Sequence, residues 1–285
     1  MKIENCSLVL EGGSRRASFS AGIIQGLLEK ELAFQTIVAV SAGAAVAANY
    51  VSQQPDRNIE AFVTDVSNRK RGGLVSFLLG KGFYNTEYMY QRAPYQSKLF
   101  DYETFFNSTQ EILIGATNNQ TAETVYFKKS EIISQADSNR KFQASASVAF
   151  VTKPVEINGS YYVDGGITDS IPIAQAIRCG FNKHVIILTQ PSDYIKKPRF
   201  YSKKWLKKYP QLAQQLAQRH LSYQKQQELI RQLEASNQAF VFYPQKRYNV
   251  RSTERDEEKL MLLYSHGYKQ LSDRYEELLT FLNQE

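Results

Sequence analysis

Short apolar runs alternate with segments of helical periodicity along the first part of the chain. Residues 3–10 are mostly apolar and stop at two glycines, and residues 36–40 form a second short apolar run. Between them, residues 17–30 place apolar side chains at helical spacing, and the small apolar residues 42–51 suit a helix packed against a sheet. This order of strand, loop, helix, strand, turn and helix is typical of a parallel α/β sheet.

Further strand and helix signals follow beyond residue 110. Residues 155–157 and 161–163 flank Asn158-Gly159, a dipeptide that is favoured in two-residue hairpin turns. The other predicted strands are residues 111–116, 123–127, 184–188 and 239–243. The other predicted helices are residues 138–148, 172–178, 212–235 and 256–282.

The length of 285 residues fits one large α/β domain. We expect an α/β core in residues 1–190. We expect residues 191–285 to form a helical portion with one added strand, packed on the same domain. Residues 55–109 are rich in aromatic and polar side chains without a regular pattern, which indicates a helical cap or lid.

The composition, 42% hydrophobic and 22% charged, is ordinary for a soluble globular protein. The first residues lack the basic and long apolar regions of a secretion signal, and the apolar runs are too short to span a membrane. Cys6 and Cys179 lie far apart and near no other ligand-like residue, which argues against a disulfide framework and against a metal site. We therefore expect a cytoplasmic protein.

The net charge of +7 is concentrated in one segment. Between Lys196 and Lys208 lie seven lysines and arginines, interleaved with three aromatic residues. One interpretation is a solvated positive surface. Another is a patch that contacts an anionic membrane and holds the protein peripherally at the inner membrane surface. Nucleic acid is the weakest alternative, because no segment resembles a nucleic-acid-binding module.

The segment from Ala39 to Gly43 has the pattern of a nucleophile turn. A catalytic serine needs an abrupt turn from strand to helix, which exposes its hydroxyl and crowds the positions two before and two after it. Gly43 suits the second crowded position, and Ala39 occupies the first, where glycine is usual. The N–H groups at the start of the following helix would favour developing negative charge. The alternative is a tightly packed turn in which Ser41 only caps the helix.

Residues 11–17, EGGSRRA, join the first strand to the first helix at the same edge of a parallel sheet as the serine turn. Glycines there let backbone N–H groups converge on an anion, which in an acyl-transfer enzyme is the tetrahedral oxyanion. A nucleotide phosphate is a weaker alternative, because the segment lacks the Lys-Ser/Thr of a P-loop and the glycine spacing of a dinucleotide site. A glycine-rich connection without a ligand is the third possibility.

Asp164 follows a strand and precedes Gly165 and Gly166, which predicts a tight turn with an exposed carboxylate. The functional interpretation is a general base that takes the serine proton. The simpler interpretation is an ordinary Asp-Gly turn.

A Ser-His-Asp triad is a further alternative, because that arrangement recurs on unrelated folds. None of the three histidines lies in a recognisable catalytic turn: His184, His220 and His266. Ser41 also follows only two predicted strands, whereas more strands precede the nucleophile in the α/β-hydrolase fold. These observations favour an aspartate base.

The glycine loop, the Val-Ser-Ala-Gly turn and the distant Asp-Gly-Gly, in this order, resemble a bacterial branch of the patatin-like phospholipase family. Longer segments carry the resemblance further: LVLEGG, SAGII, VEINGSYYVDGGITDSIPI, VIILTQP, RHLSYQ, FVFYP and ERDEEKL. The resemblance covers nearly the whole chain and is weakest over residues 55–109. It implies a three-layer α/β/α fold with a mostly parallel central sheet. It also implies hydrolysis of acyl esters, often of phospholipids, by a Ser-Asp dyad without metal or organic cofactor.

Carried over by position, the resemblance makes Ser41 the nucleophile and Asp164 the base. It assigns the oxyanion hole to the loop residues Gly12, Gly13, Ser14 and Arg15, with the N–H groups of Gly13 and Ser14 as donors. Arg16 matches the loop arginine of the family, which would steady this loop. The remaining supporting positions are Ala17, Ala39, Gly43, Gly165 and Gly166.

Three residues stand where the family usually has glycine: Ser14, Ala17 and Ala39. Each replacement keeps its backbone N–H but adds a Cβ, which costs about 1 kcal/mol or more wherever φ is positive. The primary hypothesis is a hydrolase of phospholipid or lysophospholipid esters that acts through an acyl-enzyme. The alternative is a lipid-binding or regulatory protein of the same fold with weakened catalysis.

Overall fold

A mixed sheet forms the centre of the protein. The computed structural model describes residues 1–66, 68, 70, 72, 84–95, 99–149, 151–198, 207 and 209–284. Its strands in chain order are β1 Lys2–Ile3, β2 Ser7–Leu10, β3 Ala33–Phe34, β4 Thr36–Val40, β5 Glu111–Asn118, β6 Thr124–Lys128, β7 Val155–Ile157, β8 Ser160–Asp164, β9 His184–Ile187 and β10 Ala239–Phe242. Within the described residues, eight of these strands form one sheet in the order β10-β9-β2-β4-β5-β8-β7, with β6 also paired to β5.

Helices surround this sheet. The α-helices are α1 Ala17–Glu29, α2 Ala42–Val51, α3 Pro55–Ile59, α4 Tyr102–Asn107, α5 Gln135–Ser145, α6 Ile173–Arg178, α7 Pro210–Ala235, α8 Glu257–Asp273 and α9 Tyr275–Asn283. Among the residues that the structure describes, every helix is too short or too polar to span a lipid bilayer.

The strand directions confirm the predicted fold class. The strands from β10 to β5 run parallel to their neighbours. β6 and β8 pair antiparallel with β5, and β7 pairs antiparallel with β8. The predicted hairpin connects β7 and β8, and both of its turn residues have positive φ, 50° at Asn158 and 77° at Gly159.

Alternate side chains of the central strands face two helical layers. Leu8 and Leu10 of β2 belong to a buried cluster that includes residues of α1, α2, α8 and α9. Val9, between them, belongs to a second cluster with residues of α6 and α7. Because successive side chains of a strand point to opposite faces, the sheet is covered on both sides. The result is the three-layer α/β/α arrangement.

Two predicted elements are each divided in the structure. The predicted strand 3–10 is interrupted by the exposed polar residues Glu4 and Asn5, and its first part, β1, pairs with β3 in a separate two-stranded sheet. The predicted helix 256–282 is divided at Arg274, which has φ −109° and ψ 17°. The Arg274 guanidinium donates to the Val241 carbonyl at 2.8 Å, a tertiary contact that local periodicity does not reveal.

Helix α5 is shifted toward the N-terminus relative to the prediction of 138–148. The Ser134 hydroxyl accepts a hydrogen bond from the Asp137 N–H at 3.1 Å and caps the helix one turn earlier. The helix ends at Ser145. Predicted boundaries elsewhere agree within two residues for the long helix α7 and for β6 and β10.

The stretch 55–109 contributes helical turns at the edge of the sheet. Besides α3 and α4, it contains π-helical turns at Glu60–Thr64 and Tyr88–Arg92 and a 3₁₀ turn at Ala93–Tyr95. Residues 67, 69, 71, 73–83 and 96–98 of the expected lid lie outside the described residues. Whether this stretch acts as a lid therefore stays a prediction.

The C-terminal residues pack closely on the rest of the fold. Strand β10 extends the central sheet beside β9. Helix α8 crosses α1 at very short range, because a Cβ at Gly22 would overlap the Tyr264 carbonyl oxygen and a Cβ at Gly267 would overlap that of Phe19. The two helix backbones are therefore in direct contact at these two glycines.

We predict that Gly22→Ala lowers the free energy of unfolding by about 1–3 kcal/mol, because the added methyl must push two packed helix backbones apart. The intrinsic helix preference for alanine, about 1 kcal/mol, opposes this effect but is smaller. Urea denaturation measures the change. Lys269→Ala, on the solvent side of α8, is the control and should change stability by less than about 0.5 kcal/mol. An unchanged or increased stability of Gly22→Ala would contradict the tight crossing.

Candidate active site

Ser41 occupies a sharp turn between β4 and α2. Its φ is 56° and its ψ is −125°, in the left-handed half of the φ range that non-glycine residues avoid. Gly43 makes the turn possible, since a Cβ there would lie 2.7 Å from the Glu11 carbonyl oxygen and 2.8 Å from that of Leu10. The strained backbone raises the Ser41 side chain at the carboxyl edge of the parallel strands, as the sequence predicts.

The Ser41 hydroxyl lies in direct contact with the carboxylate of Asp164. Ser41 Oγ donates to Asp164 Oδ2 at 2.6 Å, and the other carboxylate oxygen, Oδ1, accepts from the Gly166 N–H at 2.7 Å. Asp164 is the last residue of β8, and its side chain is buried rather than exposed as the sequence suggests. The structure therefore brings together two side chains that are 123 positions apart.

Burial raises the pKa of the Asp164 carboxyl above its ordinary value. The hydrogen bond from Ser41, the positive charge of Arg219, the Gly166 N–H and the charge of Lys196 oppose this shift of the pKa. Because burial dominates, the carboxyl holds its proton more tightly than a solvent-exposed aspartate does. A raised carboxyl pKa is favourable in a group that must accept a proton and later return it.

The glycine loop lies directly over Ser41. A Cβ added to Gly12 would approach the Ser41 Cβ to 3.1 Å, and one added to Gly13 would lie 2.5 Å from Thr189 Oγ1. The Gly12 N–H already donates to the Ser170 carbonyl at 3.3 Å. Among the described residues, the N–H groups of Gly13 and Ser14 have no hydrogen-bond acceptor, so they are the ones available to a ligand.

Of the three residues that stand where the family usually has glycine, Ser14 alone has a strained backbone. Ser14 has φ 51°, whereas Ala17 has φ −65° and Ala39 lies within β4. The Ser14 hydroxyl donates to the Ser252 carbonyl at 2.8 Å, a contact that glycine could not make. This hydrogen bond offsets part of the cost of about 1 kcal/mol for a side chain at positive φ.

The two loop arginines lie in different surroundings. Arg15 is buried, and its Nη1 donates to the Ala61 carbonyl in the π-helical turn Glu60–Thr64 at 2.9 Å. The Nε of Arg16 is buried and has no hydrogen-bond partner among the described residues. It is therefore Arg15, rather than Arg16, whose described hydrogen bond anchors the loop to the neighbouring helical turns.

Ser145, which belongs to no sequence motif, supports the Ser41 turn through two hydrogen bonds. Ser145, at the end of α5, accepts the Ser41 N–H at 2.8 Å and donates to the Gly115 carbonyl at 2.6 Å. The pair 41 and 145 is 104 positions apart, so no local pattern reveals it.

The histidines take no part in the serine–aspartate contact. His184 begins β9 at the opposite end of the sheet, where its Nδ1 pairs with Ser7 Oγ at 2.8 Å and burial lowers its pKa to about 4. His266 Nε2 accepts the Gln245 N–H. His220 of α7 lines the cavity, but in the described part of the chain no histidine hydrogen-bonds to Ser41 or Asp164. The geometry places an aspartate, and not a histidine, in contact with the Ser41 hydroxyl.

A cavity of about 1160 Å³ opens in front of Ser41. Its lining includes apolar residues of α2, α5 and the 55–109 stretch, such as Ala45, Phe62 and Phe142. It also includes basic side chains, among them Arg16, Lys196 and Arg219. A volume of this size suits a large ligand with an apolar part and a polar or anionic part.

The fold and the site define a class: a three-layer α/β/α protein with a serine–aspartate pair and a glycine loop at the edge of a mostly parallel sheet. Residues 8–177 match the patatin-like phospholipase family, and residues 209–283 match a domain of unknown function, DUF6363. The first match covers more than half of the chain. The protein therefore belongs to the patatin-like phospholipase family, as its motifs predict.

The chain is also similar to other proteins and to a solved structure. The uncharacterized protein YjjU of Escherichia coli K12 is 26% identical over 249 residues, which are 84% of this chain and 68% of YjjU. The probable lipid hydrolase 463L of Invertebrate iridescent virus 6 is 23% identical over 60% of this chain and 63% of its own length. The crystal structure of VipD from Legionella pneumophila covers 96% of this chain and 67% of VipD, with a TM-score of 0.55 and 12% identity. The likeness to VipD shows the fold alone.

We predict that Ser145→Ala lowers the free energy of unfolding by about 1–3 kcal/mol, because the part-buried Ser41 N–H would lose its acceptor and the buried Gly115 carbonyl would lose a donor. Ser147→Ala is the matched control, since its hydroxyl only donates to the Gln143 carbonyl, which also accepts the Ala146 N–H. Thermal or urea unfolding measures both variants. Equal effects of the two substitutions would contradict the proposed support of the Ser41 turn.

Proposed function

We propose that the protein hydrolyses lipid acyl esters, with Ser41 as nucleophile and Asp164 as general base. The observation that carries this proposal is the 2.6 Å hydrogen bond from Ser41 Oγ to a buried carboxylate, beside the Gly13 and Ser14 N–H groups, which have no acceptor among the described residues. A serine hydroxyl is a weak nucleophile until an adjacent base can take its proton. The buried aspartate fills that role without a histidine.

The reaction begins when Ser41 Oγ attacks the ester carbonyl carbon and its proton passes to the Asp164 carboxylate. The carbonyl oxygen becomes an oxyanion, which the N–H groups of Gly13 and Ser14 and the start of α2 stabilise. The carbon–oxygen bond to the leaving alcohol then breaks, and Asp164 returns the proton to that alcohol. The product of this half-reaction is an acyl-enzyme on Ser41.

Water completes the cycle by the same route in reverse. The oxygen of a water molecule attacks the acyl carbon while Asp164 accepts a proton from that water. The same N–H groups stabilise the second tetrahedral intermediate. The bond between the acyl carbon and Ser41 Oγ then breaks. The proton on Asp164 returns to Ser41 Oγ, and the fatty acid is released.

The cavity supports a phospholipid or lysophospholipid as the substrate. The apolar residues of its lining suit an acyl chain, and the basic residues suit the phosphate group of the same lipid. The competing proposal is a lipid-binding protein of the same fold with weak catalysis, for which the strained Ser14 is the motivation. The two proposals differ in whether Ser41 reacts.

We predict that wild-type protein releases fatty acid from a chromogenic acyl ester and that Ser41→Ala lowers kcat about 10⁴-fold. Asp164→Asn should show a comparable loss, because the amide cannot take the serine proton. A serine-directed fluorophosphonate should label wild type and Ser130→Ala, an exposed control, but not Ser41→Ala. Undiminished turnover in Ser41→Ala would refute the assignment, and liposome binding without labelling would favour the lipid-binding alternative.

The pH dependence follows from the raised pKa of Asp164. Activity requires the ionised carboxylate, so it should fall as the pH drops through a value above that of an ordinary aspartate. The same raised pKa means that ionised Asp164 costs stability at neutral pH, a cost that is absent below the pKa of an unfolded aspartate. Asp164→Asn should therefore melt at or above the wild-type temperature at pH 7, which separates loss of catalysis from loss of folding.

The basic segment between Lys196 and Lys208 supports a further proposal, peripheral contact with anionic membranes. Its first two lysines, Lys196 and Lys197, line the cavity, so the segment begins beside the site. Residues 199–206 and 208 lie outside the described residues. A cationic segment next to a lipid site would bring the cavity to an anionic surface.

We predict that the protein sediments with vesicles that contain anionic phosphatidylglycerol and that added salt weakens this binding. The double variant Lys207→Gln/Lys208→Gln should bind less. The exposed pair Lys128→Gln/Lys153→Gln serves as the control with the same change in charge. Equal sedimentation with neutral phosphatidylcholine vesicles would count against the membrane contact.

A further inference from the structure

Helix α7 presents one row of polar side chains to the site. Arg219, Tyr223 and Gln226 follow one another at intervals of four and three residues, which places them on the same helix face. All three make hydrogen bonds to loops at the carboxyl edge of the sheet. Helix α7 lies within residues 209–283, the part that matches a domain of unknown function.

Arg219 contacts the loop that carries the base. Its Nε donates to the Gly166 carbonyl at 2.5 Å, while the N–H of the same glycine donates to Asp164 Oδ1. A Cβ at Gly166 would lie 3.0 Å from Asp164 Oδ1 and 3.2 Å from Arg219 Nη2. The guanidinium and the carboxylate therefore both border the space that a side chain at Gly166 would occupy.

Tyr223 contacts the other loop of the site. Its hydroxyl donates to Glu11 Oε1 at 2.7 Å, and Glu11 Oε2 accepts the Thr189 N–H at 2.5 Å. Glu11 is buried and immediately precedes Gly12, so these hydrogen bonds fix the start of the oxyanion loop. A buried carboxylate without such partners would be strongly destabilising.

Gln226 completes the row. Its Nε2 donates to Asp169 Oδ1 at 2.6 Å, and its Oε1 accepts the Ile171 N–H at 3.2 Å. Both partners lie in the segment that follows Gly166. One helix face thus holds the loop after the base and the loop above the nucleophile at the same time.

We propose that α7 completes the active site and that Arg219 is a positioning residue, which holds the Gly166 peptide against Asp164 and keeps a positive charge beside that carboxylate. This inference rests on the proposed function, because it assumes that Asp164 is the base. It assigns a role to the uncharacterised C-terminal part of the chain.

The charge of Arg219 has a consequence for pH. In the described part of the chain, the Asp164 carboxyl accepts hydrogen bonds from the Ser41 hydroxyl and the Gly166 N–H, and its pKa also responds to the charges of Arg219 and Lys196. Of these, only Arg219 and Lys196 carry charge, and both lower the pKa of Asp164 against the effect of burial. Removing the Arg219 charge should raise the pH at which the carboxyl loses its proton and becomes a base.

The experiment compares Arg219→Gln, Arg219→Lys and the control Arg231→Gln across pH. Arg231 lies on the exposed side of α7 and pairs with Glu228. The readouts are kcat and KM for a chromogenic ester and the rate of fluorophosphonate labelling. Arg219→Gln should lower kcat more than it changes KM and move the acid limb of both profiles up by about 1 pH unit. Arg219→Lys should lower kcat but leave the acid limb where it is in wild type, and Arg231→Gln should match wild type.

An acid limb that stays in place in Arg219→Gln, with activity merely scaled down at every pH, would overturn the proposal and indicate a structural role only. If Arg219→Gln does not fold, Gly166→Ala tests the same contact, because its methyl would separate the guanidinium from the carboxylate. An unmoved acid limb in that variant would also overturn the proposal. Failure of the proposed function is distinguishable, since it would appear as activity that survives Ser41→Ala.

Discussion

The register of strand β5 is the constraint on which the site depends. β5 lies between β4, which precedes the Ser41 turn, and β8, which ends at Asp164. In its pairing with β4, Val40 lies opposite Gly115, and in its pairing with β8, Ala116 lies opposite Asp164. Adjacent residues of one strand therefore set the positions of Ser41 and Asp164. A slip of one residue in either pairing would move its side chains to the other face of the sheet.

Gly115 is the crowded point of this arrangement. A Cβ there would lie 2.5 Å from Val40 Cγ2, and a Cβ at Gly165 would overlap the Gly115 carbonyl oxygen. The same carbonyl accepts the hydroxyl of Ser145, which in turn accepts the Ser41 N–H. The glycines thus serve close approach of backbones rather than flexibility, and the approach keeps the serine–aspartate distance short.

The local parts of the site could be predicted from the sequence, and the long-range parts could not. The Ser41 turn, the Asp164 turn and the glycine loop are each set by neighbouring residues, so a short motif records them. Ser145 and Arg219 act through contacts across 104 and 53 positions, and an isolated serine or a helical arginine carries no signal of such a contact. Only the structure shows that both of them converge on these turns.

The same distinction applies to the fold. The strand and helix order was predictable because apolar periodicity reflects which face of each element is buried. The division of the last helix at Arg274 depends on a contact with β10, and no periodicity encodes that contact. The motifs also reveal three positions where another residue stands in place of the usual glycine. They do not reveal at which of these positions the backbone is strained. The φ values place the strain at Ser14 and not at Ala17 or Ala39, because backbone conformation there is imposed by the packed loop.

The C-terminal residues depend mainly on long-range contacts. We infer from these contacts that the division of the chain at residue 190 separates sequence motifs and not structural units. Strand β10 continues the sheet beside β9, α8 packs on α1 through backbone contacts, and α7 hydrogen-bonds to Glu11 before the glycine loop and to Gly166 after Asp164. Burial alone would leave Asp164 with a raised pKa and nothing to oppose it except local hydrogen bonds. The positive charge that opposes burial comes from Lys196 and from Arg219, and both lie after that division. The ionised form of the buried Asp164 carboxyl is therefore stabilised by residues that follow the glycine-loop, Ser41 and Asp164 motifs, namely Lys196 and Arg219.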